Sequence, residues 1–291
     1  MNFHEVPAAK DREEVKKWHE ANRLAWNEAA LEYRNSNAQR IHDLRAGKSN
    51  LHPIERSNLE KLGPFGDWCH RAVHLQCASG YDTLSLILEG VHEVVGIDIS
   101  EIHIENARVT SEKLAMPALW YRCDVLDTPD ELNATADLVY TGRGAITWVH
   151  DLSGWAGVVK RLLKPGGVVH LLEDHPATWL FDQDSEELVA SRINYFAYVE
   201  ASQGWPSSYL GNTSSSLGPS GKPIDEQCTK YGRLWTIAEV FQALRYAGLS
   251  IEYIGEHPEP YWDAFPKLKQ ALKEKIPMTY SLLARRVETK A

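Results

Sequence analysis

Two aspartates carry the first chemical signal in this chain. Asp98 closes the run Glu93-Val-Val-Gly-Ile-Asp and Asp124 follows Leu119-Trp-Tyr-Arg-Cys, so each stands directly after a short segment of strand composition. A carboxylate at a strand end can accept hydrogen bonds from both hydroxyls of a ribose, the role expected of Asp98. Asp124, with Cys123 and Val125 beside it, is placed for the amino group and a ring nitrogen of adenine. Thr141 and Gly142 end a further run, Ala136–Tyr140, and join the same set. A lone aspartate after a strand is more often a turn former or helix cap. Two at successive strand ends, behind a turn of small residues, point instead to a nucleoside site.

That turn is Gln76-Cys77-Ala78-Ser79-Gly80, between an apolar strand at 72–76 and a helix at 82–89. A pyrophosphate cradle needs Gly-x-Gly-x-x-Gly, so that backbone N–H groups can approach the phosphates. Here one glycine stands alone. A dinucleotide, and with it a nicotinamide-dependent oxidoreductase, is therefore disfavoured, and a nucleoside without phosphates is favoured. If the reaction also removes a proton from its substrate, Glu173 and His175, just past the fifth strand at the same sheet end, are the candidate bases. A histidine in a His-Pro turn such as His175 is more often structural, and His103 and His150 are weaker candidates.

The elements that must position these groups alternate from residue 72 onward. Strands are expected at 72–76, 93–97, 119–122, 136–140 and 168–172, with helices at 82–89, 101–114 and 152–163 between them. This alternation predicts parallel strands with right-handed crossovers in a doubly wound α/β sheet. Thr236 caps a helix over 237–246, and two final strands follow at 249–254 and 278–284. Residues 10–47 read as one or two amphipathic helices, either covering a sheet edge or carrying aromatics over the site. Between about 177 and 234 the alternation stops, in a stretch with seven aromatics that ends in the Gly/Ser-rich run 210–223. An interruption of that length is expected to be functional in its first, aromatic half.

Composition narrows the partners. The 291 residues include 31 basic and 40 acidic side chains, a formal charge of −9, which repels nucleic-acid backbones and anionic membranes. No apolar run approaches the length of a membrane span, and the N-terminus lacks a basic start followed by an apolar stretch, so a cytoplasmic protein is expected. Four cysteines without Cys-x-x-Cys spacing imply neither a disulfide framework nor a metal. Ten tryptophans and twelve tyrosines suit a pocket for a flat small molecule, or ordinary core filling.

Taken in order, His74-Leu-Gln-Cys-Ala-Ser-Gly-Tyr-Asp-Thr-Leu, Val95-Gly-Ile-Asp-Ile-Ser, Asn106-Ala-Arg, Cys123-Asp-Val, Ala136-Asp-Leu-Val-Tyr-Thr, Leu163-Lys-Pro-Gly-Gly and Tyr280-Ser-Leu-Leu-Ala-Arg-Arg resemble the class I S-adenosylmethionine-dependent methyltransferases of the small-molecule type. The likeness runs from about Trp26 to Arg286. It implies a Rossmann-like sheet of seven strands with the last antiparallel, S-adenosylmethionine as cofactor, and a small, aromatic or heterocyclic methyl acceptor. By this resemblance Asp98 and Ile99 hold the ribose, Asp124 and Val125 the adenine, and His103 packs on the adenine. Leu75, Gln76, Cys77, Ala78 and Gly80 lie alongside the methionine part, and Tyr33 and Trp148 near the sulfonium. The family's loop is acidic-x-Gly-x-Gly-x-Gly, and this chain has His74, Gln76 and Ala78 where the acid and two glycines belong. The organisation implied is an N-terminal helical cover over 1–49 and a methyltransferase domain over 50–291 with a lid inserted at about 177–234. The rival from another class is a non-catalytic module that binds the cofactor or another nucleoside.

Overall fold

The chain opens with a short strand, β1 (Asn2–Glu5), and a 34-residue helix, α1 (Arg12–Arg45). After the helices α2 (Pro53–Glu60) and α3 (Phe65–Trp68) the alternation begins: β2 (Arg71–Leu75), α4 (Tyr81–Leu88), β3 (Glu93–Asp98), α5 (Glu101–Leu114), β4 (Leu119–Arg122), β5 (Ala136–Gly142), α6 (Leu152–Leu162) and β6 (Leu163–Asp174). Then come β7 (Val199–Gln203), β8 (Lys230–Arg233), α7 (Ile237–Tyr246), β9 (Leu249–His257), α8 (Gln270–Lys273) and β10 (Thr279–Arg286). This computed structural model describes residues 2–196, 198–205 and 221–287, with the backbone alone described for 2 and 32–36. Part of the Gly/Ser-rich run 210–223 lies outside the described residues.

Seven strands form one sheet in the order β4-β3-β2-β5-β6-β10-β9. All pairings from β4 to β6 are parallel, and β10 alone runs against both of its neighbours. The central strands are buried on both faces, which is why they read as continuous apolar runs and not as alternation. Val73, Val95, Val139 and Val169 meet Trp155, Leu162, Val240 and Leu244 on one side, in the layer of α6 and α7. Ala72, Val94, Leu138 and Val168 meet Leu59, Phe65 and Leu86 on the other, in the layer of α2 to α4. Lys164-Pro-Gly-Gly, a turn by its sequence, is a bulge at the start of β6: Leu163 pairs with Ala136 and Val168 with Leu138, so the residues between are looped out.

The N-terminal segment is more than a helix. β1 pairs antiparallel with β7, and β7 with β8, so residues 2–5 and the 177–234 insertion share a second, three-stranded sheet. The single helix α1 spans about 51 Å at 1.5 Å per residue. Its Asp11 cap accepts from Glu14 N–H, with Glu13 and Glu14 in the first turn and Arg45 in the last, as the helix dipole favours. It docks on α5 through its Ala30 carbonyl, which accepts from the Asn106 amide at 3.2 Å, and through Arg23, which bonds both oxygens of Glu101 at 2.6 and 2.8 Å. On its other flank the Asn22 amide pairs with the backbone of Tyr231 as a strand would, donating to its carbonyl at 2.9 Å and accepting its N–H at 2.7 Å. α1 therefore joins the small sheet to the main one.

One buried histidine sets a pH limit on this core. His170 on β6 is fully buried, with the Asn58 amide 3.3 Å from Nε2, and burial pushes it down to about 3. Its unfolded value is near 6.5, so its contribution is intact above that pH and is lost as pH falls towards the folded value, at about 1.4 kcal/mol per pH unit. Urea denaturation at pH 7 and pH 5 should therefore show a loss of stability smaller by about 2 kcal/mol in His170→Gln than in the parent chain.

Candidate functional site

Strand order sets the ends of β4, β3, β2, β5 and β6 side by side, and a cavity of about 340 Å³ lies against them. From the β4 end it is lined by Asp124 and Val125, at β3 by Asp98 and Ile99, at β2 by Gln76, Cys77, Ala78 and Ser79, and at β5 by Gly142 to Ala145 and Trp148. His103 of α5 also faces it. α1 closes one side with His19, Asn22, Trp26 and Arg40, and the segment after β9 adds Tyr261 and Trp262.

The turn after β2 keeps a glycine-type backbone with few glycines. Gln76 and Ala78 have φ of 58° and 45°, and Gly80, the N-cap of α4, has φ of 76°. Left-handed geometry at a residue with a Cβ costs roughly 1–2 kcal/mol, so other contacts must impose it. Gln76 Nε2 donates to the Ala145 carbonyl at 2.7 Å, Cys77 N–H to Ile97 at 2.9 Å, and Ala78 N–H to Asp98 Oδ2 at 2.8 Å. At Gly80 no side chain fits, because an added Cβ would stand 2.8 Å from that of Ala107 and inside the Trp120 ring.

Asp98 also accepts Ser100 N–H on Oδ1 at 2.8 Å. Burial pushes its carboxyl up to about 6, against these N–H donors, which favour the anion. Asp124 is held similarly: Oδ1 accepts Leu126 N–H at 2.9 Å and Oδ2 lies 2.7 Å from His19 Nδ1. The ring of His103 is fixed by Ser79 Oγ at 2.8 Å from its Nδ1, and burial drives it down to about 3, so it is neutral at physiological pH.

Glu173 and His175, expected as bases, do not line the cavity. Glu173 is buried and accepts three consecutive backbone N–H groups, from Gly144 at 2.7 Å and from Ala145 and Ile146 at 2.9 Å each. Burial pushes it up to about 8 while these donors favour the anion. Its carboxylate thus shapes the loop after β5, where Arg143 takes φ of 57° and donates its N–H to the Leu172 carbonyl at 2.6 Å. His175 accepts Ala177 N–H on Nδ1 at 3.1 Å, capping the next turn, and its Nε2 is 2.7 Å from Glu256. At the end of β6, Asp174 reaches a lining residue instead, accepting the Trp262 indole N–H at 3.0 and 3.2 Å.

Arg143 turns its guanidinium inward onto Asp82, with the Asn50 carbonyl at 3.3 Å and Glu55 at 3.8 Å. Burial raises Asp82, but the Arg143 charge and the hydrogen bonds from Asn50 and Arg143 together outweigh it and hold the carboxyl low. Glu55 goes the other way: it has no exposed surface, and desolvation raises it although Tyr140 donates to it at 2.6 Å. His74, at the position where the resemblance expects an acid, is neutral and buried, edge-on to Tyr140 at 4.7 Å, and lowered to about 4 by burial.

Of the residues expected from sequence, Gln76, Cys77, Ala78, Asp98, Ile99, His103, Asp124, Val125, Gly142 and Trp148 share the cavity wall. Leu75 belongs to the sheet core, Thr141 is buried beneath the wall, and Gly80 shapes the turn without facing the cavity. The Tyr33 side chain lies outside the described residues. Sequence reading missed Arg143, Tyr261 and Trp262, and the α1 group His19, Asn22 and Trp26. The last three follow helical spacing of three and four, and His19 and Asn22 are polar residues on a buried stripe, a signal present in the sequence.

Two substitutions test this construction. Ala78→Gly should raise stability by about 0.5–1 kcal/mol, the relief of left-handed strain less the entropy of glycine. Glu173→Gln faces its new amide towards backbone donors and should cost about 2–3 kcal/mol. Urea denaturation measures both, the first at pH 7 and the second at pH 9, where Glu173 is ionised.

Residues 72–167 match the family model described as a methyltransferase domain. No curated protein matches the chain. Among solved structures, an S-adenosylmethionine-dependent methyltransferase from Mesorhizobium loti is 22% identical, with TM-score 0.53 over 80% of this chain and 97% of that one. A counterpart from Listeria monocytogenes is 18% identical, with TM-score 0.54 over 80% and 98%. The geranyl diphosphate C-methyltransferase of Streptomyces coelicolor, solved with Mg²⁺, geranyl diphosphate and S-adenosyl-L-homocysteine, is 15% identical with TM-score 0.51 over 81% and 80%. At these identities the likeness is one of fold. Residues 72–167 thus carry a methyltransferase domain, and the chain around them has the fold of the S-adenosylmethionine-dependent methyltransferases.

Proposed function

We propose that this methyltransferase acts on a small metabolite with a flat aromatic or heterocyclic ring. The observation that carries the reading is the sequence of chemistries along the cavity, which follows strand order. Carboxylates stand at the β4 and β3 ends, the tight turn at β2, and aromatic walls at Trp148 after β5 and at Tyr261 and Trp262 after β9. Asp124 and Val125 would receive the adenine, Asp98 and Ile99 the ribose, and residues 76–79 the methionine part, with His103 stacking as a neutral ring. The donor set fits such a group: Asp98 has two N–H bonds on a carboxylate with about four acceptor positions, leaving lone pairs for a diol.

When bound, S-adenosylmethionine supplies a methyl group on a sulfonium, open to in-line displacement. The chain's own contribution is alignment and exclusion of water. Trp148 and Trp26 meet edge to face at 5.4 Å, and Trp262, fixed by Asp174, forms a further face of the cavity. Such rings hold a flat acceptor by stacking and keep the reacting centre dry, and positioning of this kind is worth on the order of 7–11 kcal/mol. With Glu173 and His175 committed elsewhere, this reading needs no general base from the end of β6.

Asp98→Ala tests the cofactor half: the thermal stabilisation that S-adenosylmethionine confers on the parent chain, about 2.7 kcal/mol at a hundredfold excess over Kd, should vanish in the variant. For the acceptor half, incubation with methyl-labelled cofactor and fractionated metabolite extract should label aromatic or heterocyclic compounds. Label confined to aliphatic products would remove that half alone.

A further inference from the structure

The carboxylate assigned to adenine is gripped from a direction the sheet does not supply. Asp124 Oδ2 is 2.7 Å from Nδ1 of His19, which stands 105 residues earlier on α1. The other ring nitrogen, Nε2, accepts the His150 backbone N–H at 3.1 Å. An acceptor at Nε2 leaves Nδ1 carrying the proton, so His19 is a neutral ring that donates to Asp124. His150 is fixed in turn, with its Nε2 3.1 Å from the Tyr231 carbonyl and its ring edge-on to Trp18 at 4.8 Å. His19 is 3% exposed and its helix is tied to β8 by the Asn22–Tyr231 pair. The ring therefore has one available orientation.

Two N–H donors from different elements, Leu126 on Oδ1 and His19 on Oδ2, fix the plane of the Asp124 carboxylate. A carboxylate offers about four lone-pair positions, and with two engaged in the wall the remaining pair faces the cavity that both residues line. We propose that His19 is a positioning residue for base recognition: acting through Asp124, it holds the carboxylate in the orientation that accepts the exocyclic amine of adenine. The inference rests on the adenine assignment of Asp124 made above. It gives α1 a part in choosing the base, besides covering it.

The test compares two thioether ligands that differ at that amine. S-adenosylhomocysteine carries the 6-amino group, and S-inosylhomocysteine has an oxygen there, which places an acceptor against the carboxylate. Calorimetric titration of the parent chain should show S-adenosylhomocysteine binding about 10–100-fold tighter, the range of a hydrogen bond to a charged group. In Asp124→Ala that preference should disappear. In His19→Ala it should shrink by about tenfold, and in His19→Gln, whose amide can donate to Asp124 and accept from His150 N–H, it should largely return. Denaturation curves and circular dichroism establish that each variant is folded. Equal weakening of both ligands in His19→Ala, with the preference intact, assigns His19 to packing alone and overturns the proposal. A preference that survives in Asp124→Ala shows instead that the adenine assignment itself is wrong. Should His19→Ala fail to fold, His19→Asn and His19→Leu decide the matter, since the asparagine amide nitrogen stands where Nδ1 does and should keep the preference, whereas leucine has no donor for Asp124 and should lose it.

Discussion

Loops at the carboxyl ends of parallel strands leave backbone N–H groups without ladder partners, and in this molecule buried carboxylates take them up. Asp98 accepts from Ala78 and Ser100, Asp124 from Leu126, and Glu173 from Gly144, Ala145 and Ile146. A buried N–H without a partner costs about 1–3 kcal/mol, so each loop is held in the one path that satisfies its carboxylate. Those paths include left-handed backbone at Ala78 and Arg143. The cavity is what remains between loops so constrained.

The same device explains why related-looking acids have different tasks. Asp98 and Asp124 have acceptor capacity left on the cavity side, whereas Glu173 is enclosed behind the loop it organises. Placement at the strand end is common to all three. What differs is whether the loop folds beside the carboxylate or over it, and that depends on contacts from β6 and from the Gly142–Gly144 bend. Arg143, delivered by that bend, is neutralised by Asp82 before any ligand is considered.

α1 ties the layers together. Arg23 and the Ala30 carbonyl tie the helix to α5, while Asn22 splices it to β8 and His19 reaches Asp124. The second sheet, made from the first residues and the insertion, is thus linked to the β4 end of the cavity. Loosening of the small sheet would be transmitted to the carboxylate, since Asn22 and His19 lie one turn apart on the same stripe.

The order of strands and helices, the parallel sheet, and Asp98 and Asp124 at strand ends were legible in the sequence, because local periodicity and turn chemistry encode them within a few residues, whereas the reversed last strand came only with the family resemblance. The single glycine of the turn was legible too, though its left-handed path at Gln76 and Ala78 was not, since Ala145 and Asp98 impose it from a distance. Tertiary structure alone decided that Glu173 would hold a loop, that residues 2–5 would pair with the insertion, and that His19 would reach a carboxylate 105 positions away. The physical reason is one of range. Strand ends are set by neighbours in the chain, but the partner of a buried polar group is whichever group folding brings within about 3 Å of it.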